Sequence, residues 1–142
     1  MKIQRTGSAH WQGGPKDGKG TITTPSGALS GYPYGFGSRF EGVAGSNPEE
    51  LLGAAHAACF TMALTFVLAE SGLTAETLDT KAVVTLEQGD GGYFIPAIAL
   101  TLRAHIPAAD DAIFQAAAAT AKANCPLSKV LNAEISLDAA LV

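Results

Sequence analysis

The sequence predicts an α+β fold in which antiparallel sheets pack on two main helices. Three observations support this class: short β-like runs near the start, a long apolar helical stretch in the middle, and a hairpin, helix and strand after it. With 142 residues, 47% of them hydrophobic and 15% charged, the chain can bury one sizeable core. We therefore expect a single domain over residues 1–142.

Residues 8–42 predict a small antiparallel sheet with loops. Three runs have strand character, AHWQG, KGTITT and SRFEG, and the stretches GGPKDGKG and GYPYGFG between them are rich in turn-forming residues. In this interpretation Arg39 lies on a strand, as part of SRFEG.

A long helix is expected from Pro48 to about Ser71. Pro48 suits the first helical position, Asn47 can cap the helix, and Glu50 occupies the capping-box position three residues after Asn47. Gly72 then supplies the left-handed residue that commonly ends a helix. Such a helix is about 36 Å long.

The central part of this helix, residues 51–69, carries no formal charge and is nearly as long as the ~20 residues that span a bilayer. It is rich in Ala, contains polar residues and lacks interfacial anchors, which favours a helix buried on most faces over a membrane span. A domain of this size has a radius of gyration of about 14 Å and cannot cover such a helix alone. We therefore expect a homodimer, with a second copy of the chain as the cover.

The second half predicts a hairpin, two helices and a last strand. Residues 80–88 and 93–106 alternate in hydropathy around a GDGG turn, and Pro96 indicates an edge or a bulge in the second strand. Residues 109–123 form an Ala-rich helix opened by two aspartates. Cys125 and Pro126 then begin a short helix, LSKVL, before the strand AEISLDAAL.

Charge and cysteine usage argue against several functional classes. A net charge of -4 without a Lys/Arg cluster lacks the electrostatic footprint of nucleic-acid binding. The N-terminus has no apolar run typical of a secretory signal, so we expect a cytoplasmic protein with its thiols reduced. The composition of residues 51–69 argues against binding to membranes. Two cysteines without CxxC or HxxxH spacing, and three scattered histidines, do not predict a metal site.

The two cysteines are the candidate reactive residues. Cys59 lies in mid-helix one turn after His56, a spacing that fits an inert core thiol and a neutral core histidine as well as a nucleophile with its base. Cys125 precedes Pro126 at a helix start, where free backbone N–H groups favour a thiolate that can attack or resolve.

Two charged residues could act on a thiol, although each has a simpler explanation. The guanidinium of Arg39, if buried beside a thiol, would hold it as the thiolate, whereas a strand arginine is usually solvated. Glu49 opens the central helix, where the helix dipole stabilises a carboxylate, so capping alone explains it.

Three segments resemble the OsmC family: PYGFGSRFEG, NPEELLGAAHAACF and CPLSKVLNAEISLD. The resemblance runs from AHW at residues 9–11 to the last strand. It implies an intertwined homodimer with two active sites at the interface, reducing organic hydroperoxides and hydrogen peroxide without metal or flavin, in oxidative and osmotic stress defence. The sister group, the organic hydroperoxide resistance proteins, usually carries its arginine in an earlier loop; KGTITTPSG has none, which favours the OsmC branch.

The resemblance also implies roles for four residues. Cys59 matches the peroxidatic cysteine, Cys125 the resolving one, and Arg39 and Glu49 the pair that orients and activates the thiolate. Thiol chemistry then gives a sulfenic acid on Cys59, a disulfide with Cys125, and reduction by an external dithiol, with no cofactor expected.

Helix geometry adds one expectation about the dimer. Ten helical positions separate Glu49 from Cys59, or about 15 Å along one axis, so we expect Glu49 to serve Cys59 of the other subunit. The alternative functions are a non-catalytic protein that binds a hydrophobic ligand or senses thiol oxidation, and a membrane-associated structural protein.

Overall fold

The computed structural model describes residues 1–142, which divide into two compact units, Met1–Leu51 and Leu52–Val142. The predicted α+β class is confirmed. In chain order the elements are β1 (Ser8–Gln12), β2 (Lys19–Thr23), β3 (Tyr32–Tyr34), α1 (Phe36–Phe40), α2 (Pro48–Glu70), β4 (Thr77–Gly89), β5 (Gly92–His105), α3 (Asp111–Asn124), α4 (Pro126–Val130) and β6 (Glu134–Leu141). The expected single domain over residues 1–142 stays a prediction.

The first unit contains the predicted small antiparallel sheet, in the order β1-β2-β3. Gly20 on β2 pairs with Trp11 on one side and Tyr34 on the other. The two aromatic rings lie 5.5 Å apart between centroids, and a Cβ at Gly20 would collide with both. Glycine is therefore the residue that lets the rings pack across this narrow sheet.

Arg39 does not lie on a strand, so that prediction is wrong. The third strand is YPY, and SRF belongs to the short helix α1. Ser38 explains the helix start, because its hydroxyl accepts a hydrogen bond from the Gly35 N–H at 2.9 Å. The rings of Phe36 and Phe40, four positions apart, contact each other at 4.9 Å, a spacing typical of a helix.

The long helix α2 begins and ends close to its predicted limits. Asn47 accepts a hydrogen bond from the Glu50 N–H at 2.8 Å, and the Glu50 carboxylate accepts one from the Ser46 hydroxyl at 2.8 Å. Gly72, just after the helix, has a φ of 71°, the left-handed conformation that its lack of a Cβ permits.

The second unit contains a sheet in the order β4-β5-β6. β4 and β5 form the predicted hairpin, and its register shifts between Thr85 and Glu87, opposite the segment that contains Pro96. The predicted bulge is therefore confirmed. β6 pairs with β5 in parallel, so this sheet is not wholly antiparallel. The chain can return in parallel because α3 and α4 form the long crossover that such pairing requires.

The part of α2 that belongs to the second unit, from Leu52 onward, is covered by that unit along one side only. Phe60 and Leu64 are fully buried against β5 and α3, whereas Met62 is 64% exposed and Phe66 is 69% exposed. Within the single chain the hairpin and α3 reach one stripe of α2, so the expected burial on most faces, which depends on a second copy, stays a prediction. α2 is long and apolar enough to cross a membrane. The core helices of soluble proteins can have the same length and hydropathy.

Candidate active site

The two cysteines meet in the second unit. Cys59 comes from the middle of α2, and Cys125 lies where α3 ends and α4 begins. Cys125 has a ψ of 123°, outside the helical region, which breaks the helix before Pro126 starts the next one. The two Sγ atoms lie 2.9 Å apart, within hydrogen-bonding distance, and both thiols are free.

The surroundings of Cys125 favour its thiolate. Burial alone would raise the pKa of this fully buried residue, but hydrogen bonds from Cys59, from the backbone N–H and hydroxyl of Ser128 and from the Leu127 N–H lower the pKa overall. Backbone N–H groups at a helix start are among these causes, which agrees in direction with the sequence analysis.

The surroundings of Cys59 act in the opposite direction. Burial raises the pKa of Cys59, the hydrogen bond with Cys125 raises it further, and the Leu127 N–H offsets this only in part. No cationic side chain is among the groups that act on this thiol. Within one chain the negative charge of the pair is therefore favoured on Cys125, and a positive charge beside Cys59 would favour a thiolate there.

His56 is a neutral core histidine. Its side chain is fully buried, burial lowers its pKa, and its Nε2 lies 2.8 Å from the hydroxyl oxygen of Ser128. Ser128 is a site residue that the sequence analysis does not single out. The available signal is its position in the sequence. Ser128 is the third residue of α4, from which a side chain can reach back toward Cys125, the residue before the helix.

An apolar pocket of about 490 Å³ opens beside Cys59. We call it the apolar pocket; its lining residues are Ala58, Cys59, Met62, Ala63, Phe66 and Pro126. Because its wall contains almost no polar atom besides the thiol, it suits a ligand with an apolar body.

Arg39 and Glu49 meet in the first unit. The guanidinium donates to the carboxylate from Nη2 at 2.6 Å and from Nε at 3.2 Å to both oxygens. The Glu49 side chain is 12% exposed and the Arg39 side chain 35% exposed. The structure therefore brings the four predicted site residues together as two pairs, one in each unit.

No group of three or more His, Cys, Asp or Glu side chains lies close enough together to hold a metal ion. The cysteine pair and its neighbours are the reactive groups that the described site offers.

A family model described as OsmC-like protein matches residues 40–140. Peroxiredoxin OsmC of Escherichia coli strain K12 is 52% identical over 138 residues, which cover 97% of this chain and 96% of that protein. The organic hydroperoxide resistance protein OhrB of Bacillus subtilis is 29% identical over 119 residues, which cover 83% of this chain and 85% of that protein. The difference between the two identities agrees with the predicted OsmC branch.

Solved structures share the fold. The crystal structure of OhrB of Bacillus subtilis superposes with a TM-score of 0.74 at 27% identity, covering 95% of this chain and 98% of that one. An OsmC-like protein from Mycoplasma pneumoniae superposes with a TM-score of 0.78 over 100% of this chain and 99% of its own. At 16% identity the second likeness concerns the fold alone.

Proposed function

This chain belongs to the OsmC family, and we propose that it is a cysteine-based peroxidase that reduces organic hydroperoxides and hydrogen peroxide. The observation that carries the proposal is the 2.9 Å distance between the Sγ atoms of Cys59 and Cys125, beside the apolar pocket. An oxidised Cys59 has a second thiol within reach. The names of the relatives, peroxiredoxin and organic hydroperoxide resistance protein, support the substrate class and a role in peroxide stress defence.

The reaction has two steps on the protein. The Cys59 thiolate attacks the distal peroxide oxygen, so an S–O bond forms, the O–O bond breaks, and the alcohol or water leaves after taking up a proton. Cys125 then attacks the sulfenic sulfur, so a disulfide forms and water leaves. An external dithiol reduces the disulfide and restores both thiols.

A positive charge beside Cys59 would stabilise its thiolate, and we assign this role to Arg39 of a second subunit. Arg39 is held in a fixed orientation by Glu49, and an oriented guanidinium stabilises both a thiolate and a developing alkoxide. Glu49 and Cys59 lie ten positions apart on α2, about 15 Å along its axis, which argues against contact within one chain.

A homodimer would also cover the exposed side of α2. Met62 and Phe66 are large apolar side chains on that side, and burying them against a second copy removes them from water. The dimer, the external dithiol, the cytoplasmic location and the single-domain organisation complete the proposal.

Steady-state turnover with a bulky organic peroxide and excess dithiol tests the function. Wild-type protein consumes peroxide through many cycles, and Cys59→Ser consumes none, because a serine hydroxyl cannot form the sulfenic acid. Turnover by Cys59→Ser would contradict the assignment. If wild-type protein is oxidised once and then stops despite excess dithiol, it is instead a sensor or a ligand-binding protein, for which the apolar pocket is the site.

A further inference from the structure

A polar contact that the peroxidase reaction does not use lies next to the cysteine pair. The Nε2 atom of the buried His56 is 2.8 Å from the hydroxyl oxygen of Ser128. Ser128 in turn acts on Cys125 through its hydroxyl, and Cys125 contacts Cys59 at 2.9 Å. Ser128 therefore stands between the buried His56, which it contacts at 2.8 Å, and Cys125, which it follows by three residues at the start of α4.

The direction of these hydrogen bonds follows from the imidazole. The Nδ1 atom of His56 is buried without a hydrogen-bond partner. A buried N–H without an acceptor is rarer in proteins than an acceptor without a donor, so the ring proton belongs on Nε2. Nε2 then donates to the Ser128 oxygen, and the hydrogen of the Ser128 hydroxyl is free to donate to the Cys125 sulfur.

We propose that His56 is a positioning residue that acts through Ser128 to hold Cys125 as the resolving thiolate. This proposal rests on the proposed function, in which Cys125 attacks the sulfenic acid of Cys59. The S–S bond forms as the S–O bond breaks, and the departing hydroxide takes up the proton that Cys125 released. His56 keeps its single ring proton throughout, and the lowering of its pKa by burial maintains this neutral donor state.

Few other ionisable groups face Cys125. Cys59 and His56 approach from α2, and α4 contributes Ser128 and its own backbone N–H groups. Lys122 on α3 donates instead to a backbone carbonyl of β6 at 3.1 Å. No carboxylate or ammonium group is among those that shift the pKa of Cys125, so two effects set its ionisation: burial raises the pKa, and the hydrogen bonds together lower it by more.

A titration in the Cys59→Ser background tests the proposal without peroxide. Cys125 is then the sole cysteine of the chain, and the ultraviolet absorbance of the thiolate, taken as the difference from protein in which Cys125 is also serine, reports its ionisation. Adding Ser128→Ala removes the hydroxyl donor and raises the midpoint of the Cys125 titration by about one pH unit. Adding His56→Leu raises this midpoint by about half a unit, because the hydroxyl remains and loses only the hydrogen bond from His56. Combining the two changes gives no more than Ser128→Ala, because His56 acts through Ser128.

Two further variants separate this effect from a packing defect. His56→Gln offers an amide N–H at about the reach of Nε2 and restores most of the low midpoint. Leu64→Ala, a buried change on the same helix, lowers stability and leaves the midpoint unchanged. If His56→Leu does not fold, His56→Gln compared with His56→Ala replaces it. An unchanged midpoint in the folded variant, or additive shifts in the combined variant, would overturn the proposal.

Disulfide closure in the chain with both cysteines provides the second measurement. After one equivalent of peroxide, His56→Leu closes the disulfide about threefold more slowly than wild type on the acid side of the midpoint, and equally fast well above it. If His56→Leu slows disulfide closure equally at every pH, the role of His56 is structural only. If wild-type protein forms no disulfide, the proposed function fails, while the titration still decides whether His56 acts on Cys125.

Discussion

The two sides of α2 have similar composition and different surroundings. Phe60, Leu64 and Leu68 are sealed in the core of the second unit, whereas Met62 and Phe66 on the other side are more than half exposed. The buried side holds the fold together. The exposed side lines the apolar pocket beside Cys59, and we propose that the same kind of side chain there serves substrate binding and assembly instead.

The largest expected effect concerns the sharing of the site between subunits. Cys59→Ser and Glu49→Gln are each expected to be nearly inactive as homodimers. When the two are unfolded together and refolded, each heterodimer regains one intact site, so a random mixture recovers about a quarter of the wild-type sites. Activity per verified heterodimer is the measurement.

Two outcomes would break this arrangement. If Glu49 acts within its own chain, no site in the heterodimer is whole and no activity returns. If Glu49→Gln alone keeps full activity and loses only about 0.3–1 kcal/mol of stability, the residue is a helix cap and nothing more.

A charge on the exposed side of α2 should separate the subunits. We expect Phe66→Asp to give monomers at micromolar concentration and to lower turnover at least tenfold, because Arg39 and Glu49 of the partner are then absent. Sedimentation gives the oligomeric state, and circular dichroism checks the fold. If Phe66→Asp sediments as the wild-type dimer does, or is a fully active monomer, the exposed side of α2 is not covered by a second subunit as proposed.

A cavity on the buried side should instead weaken the fold. We expect Leu64→Ala to lower the free energy of unfolding by about 2–5 kcal/mol, because the fully buried side chain leaves an unfilled space. Urea unfolding of the reduced protein measures the loss. Turnover per folded molecule should stay within about twofold of wild type, and a change in oligomeric state would mean that the two sides are not separate in function.

The smallest effect is a pH dependence of stability from the two thiols. Because the pKa of Cys125 is lowered in the folded protein, the free energy of unfolding increases as pH rises from that folded pKa to the ordinary thiol pKa of ~8.5. This contribution is lost as pH falls through the folded pKa. Because the pKa of Cys59 is raised in the folded protein, its contribution to stability is fully present below the ordinary thiol pKa. This contribution is lost as pH rises from the ordinary pKa through the folded one. Reduced protein should therefore show a thiol-dependent maximum near pH ~8.5, and Cys59→Ser with Cys125→Ser should not.

Signals confined to a few neighbouring residues were readable from the sequence. Asn47 with Pro48 and Gly72 mark the two ends of α2, and Cys125 with Pro126 marks the break between α3 and α4. These predictions succeed because capping bonds and φ restrictions join residues within one turn of each other. The roles of Cys59, Cys125, Arg39 and Glu49 came from the family resemblance rather than from spacing, and they stay predictions.

Other features depend on contacts between distant segments, and only the tertiary structure decided them. β6 is parallel to β5 because α3 and α4 carry the chain back across the sheet. The helical position of Arg39 is an exception, because the contacts of Ser38 and of the two phenylalanines that favour α1 are local. The Cys59–Cys125 and His56–Ser128 contacts join α2 to the α3–α4 junction, far apart in the chain. The sequence by itself determined where α2 begins and ends, but a helix that is apolar all round has no stripe to indicate its buried side, so packing chose that side.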